Sequence, residues 1–225
     1  MKLNGFRLVI INVSVVILIT SLSSYGQDSN NTFPENTEKI NQIFELDQKY
    51  RLMIMYGETN SAKLDSLLEL PLNRRMKIIG NRNTDKYTLS DQVVDSLWQK
   101  QNAIDSSNFE QLKAIIVRDG WPGYNEKINN KTVAMLIHAD TDKIKNIKPL
   151  LLNEINENSM DSEDFAKIWD RMLLDEGKNQ LYGTIYTWNK EKGKQTPPKI
   201  ENIQKTNEAR KKIGLGELKE YKIIN

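Results

Sequence analysis

The residues that can carry acid–base chemistry in this chain are few. Its 225 residues include one histidine, His138, and no cysteine. A zinc site of the Cys/His type and a Cys–His catalytic pair are therefore excluded, and any Ser–His–Asp arrangement must use His138. If the protein catalyses a reaction, the chemistry has to involve this imidazole or the carboxylates.

His138 lies in an apolar run, residues 133–139, and two interpretations of it stay open. A buried neutral imidazole that bonds a carbonyl or a carboxylate would be structural. An imidazole that a carboxylate orients is instead a general acid or base. Asp140 does not share a helix face with His138, and we expect it to cap the helix that begins near Thr141.

Charged residues on an apolar helix face are the second chemical signal. An apolar stripe at helical spacing runs along residues 40–54, and Asp47 and Arg51 fall inside it, four positions apart, with Gln48 at its edge. A charged pair on a buried face is costly unless both members are paired. This pair is therefore either a salt bridge that fixes how the helix packs or part of a ligand-binding or catalytic site.

Further polar residues continue the apolar faces of later helices. Gln101 and Asp105 share the apolar face of one long helix, although Asp105 is equally explained as a cap of the helix that follows. Asn108 is interpreted as the N-cap of that next helix. Glu176 continues the stripe of a later helix, and Gln180 follows it closely along the chain.

These placements predict one polar cavity in a helical domain. The predicted catalytic residues are His138, Asp47 and Asp105, and the predicted ligand-binding residues are Gln48, Arg51, Trp121, Glu176, Gln180 and Tyr182. Two interpretations stay open for each aromatic residue. Trp121 either packs in the core or forms a pocket wall, and Tyr182 either packs in a strand or lies near a ligand. The paired ligands at i, i+3 or i, i+4 that indicate a carboxylate–histidine metal site are missing, and the sequence predicts neither a metal nor a cofactor.

Helices must position these residues, and the sequence predicts a single, mainly α domain over residues 37–225 with a small C-terminal β-hairpin. The predicted helices run from residue 36 or 37 to 56, from 90 to 104, from 109 to 119, from a cap at 129–132 to His138, from 143 to 157, from 163 to 177 and from 201 to 213. Residues 181–188 alternate as a strand does, and a hairpin is expected near 181–200. Residues 57–90 are harder to assign.

The N-terminus is typical of a secretory signal peptide. Lys2 and Arg7 precede an apolar stretch, residues 8–20, that is shorter than the ~20 residues of a membrane-spanning helix. We expect residues 1–27 to be cleaved, residues 28–36 to form a disordered leader, and the mature protein to be periplasmic or secreted. The alternative is an N-terminal membrane anchor.

The charge balance argues against a polyanionic partner. The chain has 32 basic and 30 acidic residues, and residues 1–27 contain two of the basic residues and no acidic one. The mature chain therefore has a net charge near zero, which gives no general attraction to nucleic acid or, after signal cleavage, to a membrane surface. The sequence names no other partner.

Several short motifs follow one another along the chain. They are Asp47-Gln48-Lys49-Tyr50-Arg51, Asp105-Ser106-Ser107-Asn108, Gly120-Trp121-Pro122-Gly123, Leu136-Ile137-His138-Ala139-Asp140, Asp170-Arg171, Tyr182-Gly183-Thr184 and Ile213-Gly214-Leu215. As a set they resemble a bacterial family catalogued only as domain of unknown function 6624, over about residues 37–222. The resemblance implies a shared helical fold and supplies no reaction. The family pattern usually has glutamine before the histidine, where this chain has Ile137.

Three functions stay open at this point. The first is a binding or interaction module with a buried polar pocket around His138. The second is a hydrolase-like enzyme that uses His138 with a carboxylate as general acid and base. The third is a scaffold in which every buried polar residue is structural. The position of the imidazole separates the scaffold from the other two functions, because a histidine sealed in the core can serve only the scaffold.

Overall fold

The described part of the chain is built mainly from helices. A computed structural model of the protein describes residues 34–80, 89–189 and 194–219. The helices are α1 (Pro34–Tyr56), α2 (Ser61–Leu68), α3 (Leu72–Gly80), α4 (Asp91–Asp119), α5 (Glu126–Ile137), α6 (Thr141–Asn156), α7 (Ser162–Asp175) and α8 (Ile203–Lys212). Strands β1 (Thr187–Asn189) and β2 (Lys194–Thr196) pair antiparallel. The predicted mainly α fold is confirmed, and the predicted hairpin is present only as this short strand pair.

The predicted signal peptide, residues 1–27, lies outside the described residues, as does the predicted leader up to residue 33. α1 begins at Pro34, slightly before its predicted start at residue 36 or 37. Across the described ranges, none of the helices combines the length and apolar character that a membrane span requires.

α1 and α4 pack antiparallel, and this pair carries the candidate site. At one end, Asn36 of α1 donates a hydrogen bond of 2.8 Å to Asp119 at the end of α4. Towards the other end, the α1 backbone N–H of Tyr50 donates to the side chain of Gln101 at 3.1 Å. The two helices therefore face each other over most of their common length.

Two apolar clusters lie along this helix pair. The main core contains Ile40 and Ile43 of α1 and the second half of α4, together with buried residues of α5, α6 and α7: Phe109, Leu112, Ile115, Ile116, Ile128, Val133, Met135, Leu136, Ile144, Ile147, Leu151, Phe165, Ala166, Ile168 and Met172. The second cluster contains the end of α1, the start of α4 and α2: Met53, Ile54, Met55, Tyr56, Leu64 and Leu97. Between the two clusters, the buried side chains of both helices are polar: Asp47, Gln48, Gln101 and Asn108.

α4 is one helix of 29 residues, so the predicted break between residues 104 and 109 is wrong. Asp105 and Asn108 have the residue types of helix caps, and their side chains bond α1 instead. Asp105 accepts from the guanidinium of Arg51, and Asn108 donates to the backbone carbonyl of Ile43 at 2.8 Å. Because these polar groups find partners on a neighbouring helix, the backbone of α4 continues without interruption.

Residues 181–186 form a loop, and the strand predicted over 181–188 is reduced to β1. The carboxylate of Asp170 accepts hydrogen bonds from the backbone N–H groups of Leu181, Tyr182 and Thr184 at 2.8–2.9 Å. Gln180 bonds both the N–H and the carbonyl of Ile185 at 2.8 Å. These side chains occupy the backbone groups that a β-ladder would need, which explains why the alternating pattern does not produce a longer strand.

Several other helices begin at a side-chain cap. α5 begins at Glu126 with Asn125 as its N-cap, earlier than the predicted cap at residues 129–132. Asp161 caps α7 as predicted, since its side chain accepts from the N–H of Glu163. Asp140 occupies the predicted N-cap position of α6, without a side-chain bond to that helix. α5 and α6 therefore meet at a tight corner, and His138 lies in it.

Candidate functional site

The polar residues between the two apolar clusters form one connected group. This polar layer comprises Asp47, Gln48 and Arg51 of α1, Gln101, Asp105 and Asn108 of α4, and His138 directly after α5. The structure therefore brings together all three predicted catalytic residues, together with two of the predicted ligand-binding residues.

Asp47 is the most buried charge of the layer, with 1% of its surface exposed. Its Oδ2 accepts from the side-chain amide of Gln48 at 2.6 Å and lies 2.9 Å from Nδ1 of His138. Its Oδ1 lies 3.1 Å from the same nitrogen and 3.5 Å from Nη1 of Arg51. Because carboxylates are rarely buried without partners, this dense pairing is what lets Asp47 occupy the position.

Arg51 connects Asp47 to α4. Its Nη1 donates to Oδ1 of Asp105 at 2.8 Å and its Nη2 donates to Oδ2 at 2.6 Å, which is the bidentate geometry of a strong guanidinium–carboxylate pair. Nη1 also donates to the backbone carbonyl of Asp47 at 2.7 Å. The ring of Trp98 lies 6.0 Å from the guanidinium carbon, so an aromatic side chain flanks the cation.

Gln101 and Asn108 complete the layer from α4. The side chain of Gln101 is fully buried; it donates to Oδ1 of Asp105 at 2.8 Å and accepts from the backbone of α1. Asn108 donates to the carbonyl of Ile43. Sequence reasoning placed Gln101 on the right face without including it in the site, and it assigned Asn108 to a cap. The spacing 101, 105 and 108 on one helix face was the signal, and the assumed break in α4 hid it.

The pKa of the Asp47 carboxyl lies below its ordinary value. Burial alone would raise it, but the charge and hydrogen bond of His138, the charge of Arg51 and the hydrogen bond from Gln48 together outweigh that effect. Asp47 is therefore ionised at neutral pH and can only accept hydrogen bonds. It follows that Nδ1 of His138 carries a proton and donates a hydrogen bond to the Asp47 carboxylate.

The second ring nitrogen of His138 is available. Among the described residues, the hydrogen bonds of the imidazole are made by Nδ1, and Nε2 has no partner there. In that same part of the chain, the one fully buried side-chain nitrogen or oxygen without a partner is Nε of Arg75, so Nε2 of His138 is not fully buried. The side chain is 11% exposed, and those of Arg51 and Asp105 are 16% and 10% exposed. The layer is thus buried on its Asp47 side and open at its imidazole edge.

Four predicted ligand-binding residues bond other partners. Trp121 packs in the main core, where its backbone N–H donates to Glu154 at 2.8 Å and its indole donates to Asn129 at 2.7 Å. This is the core-packing role that the sequence left open. Glu176 forms ion pairs with Lys145 and Lys178. Glu176 is also the C-cap residue of α7, and the ion pairs of its side chain are with these lysines and not with residues of the layer.

Gln180 and Tyr182 belong to the loop that Asp170 organises. The side-chain amide of Gln180 is bonded at both ends to Ile185, so it holds the loop closed. The Tyr182 ring packs edge-on against Phe165, with centroids 5.9 Å apart. Burial, followed by the charge of Asp170, raises the pKa of Tyr182 to about 12. Both residues therefore have structural roles in this loop.

The layer has the elements of an oriented acid–base group. An ionised carboxylate fixes the imidazole tautomer and ring position, and Nε2 faces outwards as an acceptor when the ring is neutral. Within the described ranges no cluster of three or more His, Asp or Glu side chains is arranged to hold a metal ion. The layer can therefore bind a polar group or accept a proton at one atom.

A model of a family of unknown function, DUF6624, matches residues 82–224. The matched range includes Gln101, Asp105, Asn108 and His138, and it begins after α1, which supplies Asp47 and Arg51. No curated protein and no solved structure matches the chain.

Replacing Arg51 by leucine should destabilise the protein strongly. The change leaves Asp47 and Asp105 without their shared cation, and removing one partner of a buried ion pair costs roughly 3–5 kcal/mol. Thermal unfolding followed by circular dichroism measures the effect. The melting temperature of Arg51→Lys should lie between those of the wild type and Arg51→Leu, because lysine keeps the charge and loses the bidentate geometry. Arg118→Leu is the control, since Arg118 also pairs with an aspartate but is 64% exposed. An unchanged melting temperature for Arg51→Leu would contradict a structural role of the pair.

Acid should weaken the protein through Asp47. Its pKa is lower in the folded than in the unfolded chain, so the stabilisation is present above the unfolded value of about 3.9 and disappears as pH falls through the folded value. Between about pH 5 and pH 2 the free energy of unfolding should fall more steeply for the wild type than for Asp47→Asn. Urea titrations across this range measure both slopes, with Asp65→Asn at an exposed position of α2 as matched control. Equal slopes for wild type and Asp47→Asn would count against the pairing.

Proposed function

The chain belongs to the family of unknown function DUF6624, and we propose that it is a binding protein whose polar ligand contacts Nε2 of His138. One observation carries the proposal: Asp47 holds Nδ1, while Nε2 has no partner in the described residues and is not fully buried. In a histidine that served only the core, both ring nitrogens would have hydrogen-bond partners, because unpaired buried polar atoms are costly.

The layer beneath the imidazole suits a binding site. Arg51 is bonded to Asp47 and to Asp105 of α4, and Gln48 donates a further hydrogen bond to Asp47. A ring held in this way loses little freedom when a ligand arrives, and pre-organisation of this kind raises affinity. Apolar clusters on both sides keep α1 and α4 in place.

A hydrolase-like enzyme is the second candidate, favoured by the Asp47–His138 contact of 2.9 Å. In that function Nε2 accepts a proton from a water molecule as its oxygen attacks an electrophilic carbon or phosphorus. The imidazolium then returns the proton to the leaving group, and Asp47 stabilises the charged ring. Asp47 is a positioning residue here, since it acts through the imidazole.

Diethyl pyrocarbonate should modify the folded protein at His138. The reagent acylates an accessible imidazole nitrogen, and the absorbance of the product reports on His138 alone because the chain has no other histidine. We expect about one equivalent of product under native conditions, reversed by hydroxylamine, and none in His138→Gln. Product that appears only after unfolding in urea would overturn both candidate functions and leave the scaffold.

A parallel screen separates the two candidates. Wild type and His138→Ala are compared for thermal stabilisation by a broad set of ligands and for turnover of ester, amide and phosphoester substrates. Stabilisation that depends on His138, without turnover, supports the binding protein. Turnover that is lost in His138→Ala and reduced in Asp47→Asn supports the enzyme.

We also propose that the protein is exported by its N-terminal segment. The support is the sequence of residues 1–27, with two basic residues ahead of a short apolar stretch. Expression of the full chain in a bacterial host should give a periplasmic or secreted product whose N-terminus lies near residue 28. Edman or mass-spectrometric sequencing measures it. An intact N-terminus in the membrane fraction would indicate the anchor, and one in the cytoplasm would contradict export.

A further inference from the structure

The charges of the polar layer restrict what can bind at its edge. The layer contains two carboxylates, Asp47 and Asp105, and one guanidinium, Arg51. The guanidinium bonds both carboxylates, and it is the single cation of the layer while the imidazole is neutral. The layer then carries one more negative than positive charge.

The neighbouring charges do not reverse this balance. Lys143, in the first turn of α6, donates to Ser106 beside the layer and forms an ion pair of 3.3 Å with Glu110. Its charge is therefore already countered. Asp140, two residues after His138, adds another negative charge at the corner between α5 and α6.

The proton on Nδ1 fixes the role of Nε2. Because Nδ1 donates to the ionised Asp47, the neutral ring presents only a lone pair at Nε2. A lone pair accepts a hydrogen bond and repels another acceptor. To accept a hydrogen bond from Nε2, an anion would need a second proton on the ring, and beside the neutral ring it would meet the excess negative charge of the layer.

Resting on the binding function proposed above, we infer that the ligand presents a hydrogen-bond donor to Nε2, as a hydroxyl or an ammonium group, and that anions are disfavoured. Both donor groups satisfy the lone pair, and an ammonium group also balances the charge of the layer. Anionic groups should bind at least about tenfold more weakly than a donor group of similar size.

The single histidine allows a direct test. The protein is labelled with 15N-histidine, and the Nδ1 and Nε2 resonances of His138 are followed at about pH 8, above the ordinary histidine pKa of about 6.5. Glucose is the hydroxyl probe, methylammonium the ammonium probe, and acetate and phosphate are the anion probes. We expect glucose or methylammonium to shift Nε2 saturably while Nδ1 keeps its proton, and the responding probe identifies the donor.

A variant checks the charge argument separately. Asp105→Asn removes one negative charge from the layer, so it should weaken any response to methylammonium and strengthen the response to acetate. Asp65→Asn is the matched control, because it removes the same charge at an exposed position of α2 outside the layer, and it should change both responses less. Circular dichroism of each variant confirms that it is folded.

The outcomes distinguish this inference from the proposed function. A saturable response to acetate or phosphate alone, or no response to either donor probe, overturns the donor inference. If diethyl pyrocarbonate still modifies His138 in the native protein, the binding function stands. If it does not, the binding function itself fails.

Discussion

Asp47 is the buried charge on which the arrangement of the described helices depends. A carboxylate with 1% exposure needs partners, and it takes them from its own helix and from the end of α5, while Arg51 extends the group to α4. The apolar clusters on either side would tolerate sliding of α1 along α4, because apolar contacts have little directionality. Bidentate and imidazole–carboxylate bonds do not tolerate it, so the polar layer sets the register of three helices.

The open edge of the layer distinguishes it from a purely structural device. Replacing a buried ionic group by apolar side chains is often neutral or stabilising, so register alone is a weak reason to keep two carboxylates and a guanidinium between apolar clusters. A structural layer also gains nothing from an imidazole nitrogen that is accessible at the edge and has no partner among the described residues. Here burial increases from His138 and Arg51 at the edge to Asp47 and Gln101 inside. This is the arrangement of a site whose accessible residues are held in place by hydrogen bonds to more deeply buried ones.

Helix periodicity predicted the site where its members lie on uninterrupted helices. Asp47 and Arg51 stood out because they interrupt an apolar stripe, and His138 because it is unique in the chain. Prediction failed where side chains bond across the fold. The sequence predicts caps at Asp105 and Asn108, whereas their side chains bond α1 in the fold. It predicts a strand over residues 181–188, whereas N–H groups of residues 181–184 donate to Asp170. Local sequence shows which groups need a partner, and only the packing shows which partner each one finds.

The hydrogen bonds that the other polar groups already make favour binding over catalysis. A hydroxyl donated to Nε2 has the geometry from which a general base removes a proton, so the two candidate functions share their first contact. Hydrolysis also requires donors that stabilise negative charge as it develops on the substrate. In the layer, the amide of Gln101 donates to Asp105, that of Asn108 donates to Ile43, and Arg51 is bound to both carboxylates. Since these donors are already engaged and the layer holds excess negative charge, it is better suited to hold a donor ligand than to stabilise an oxyanion.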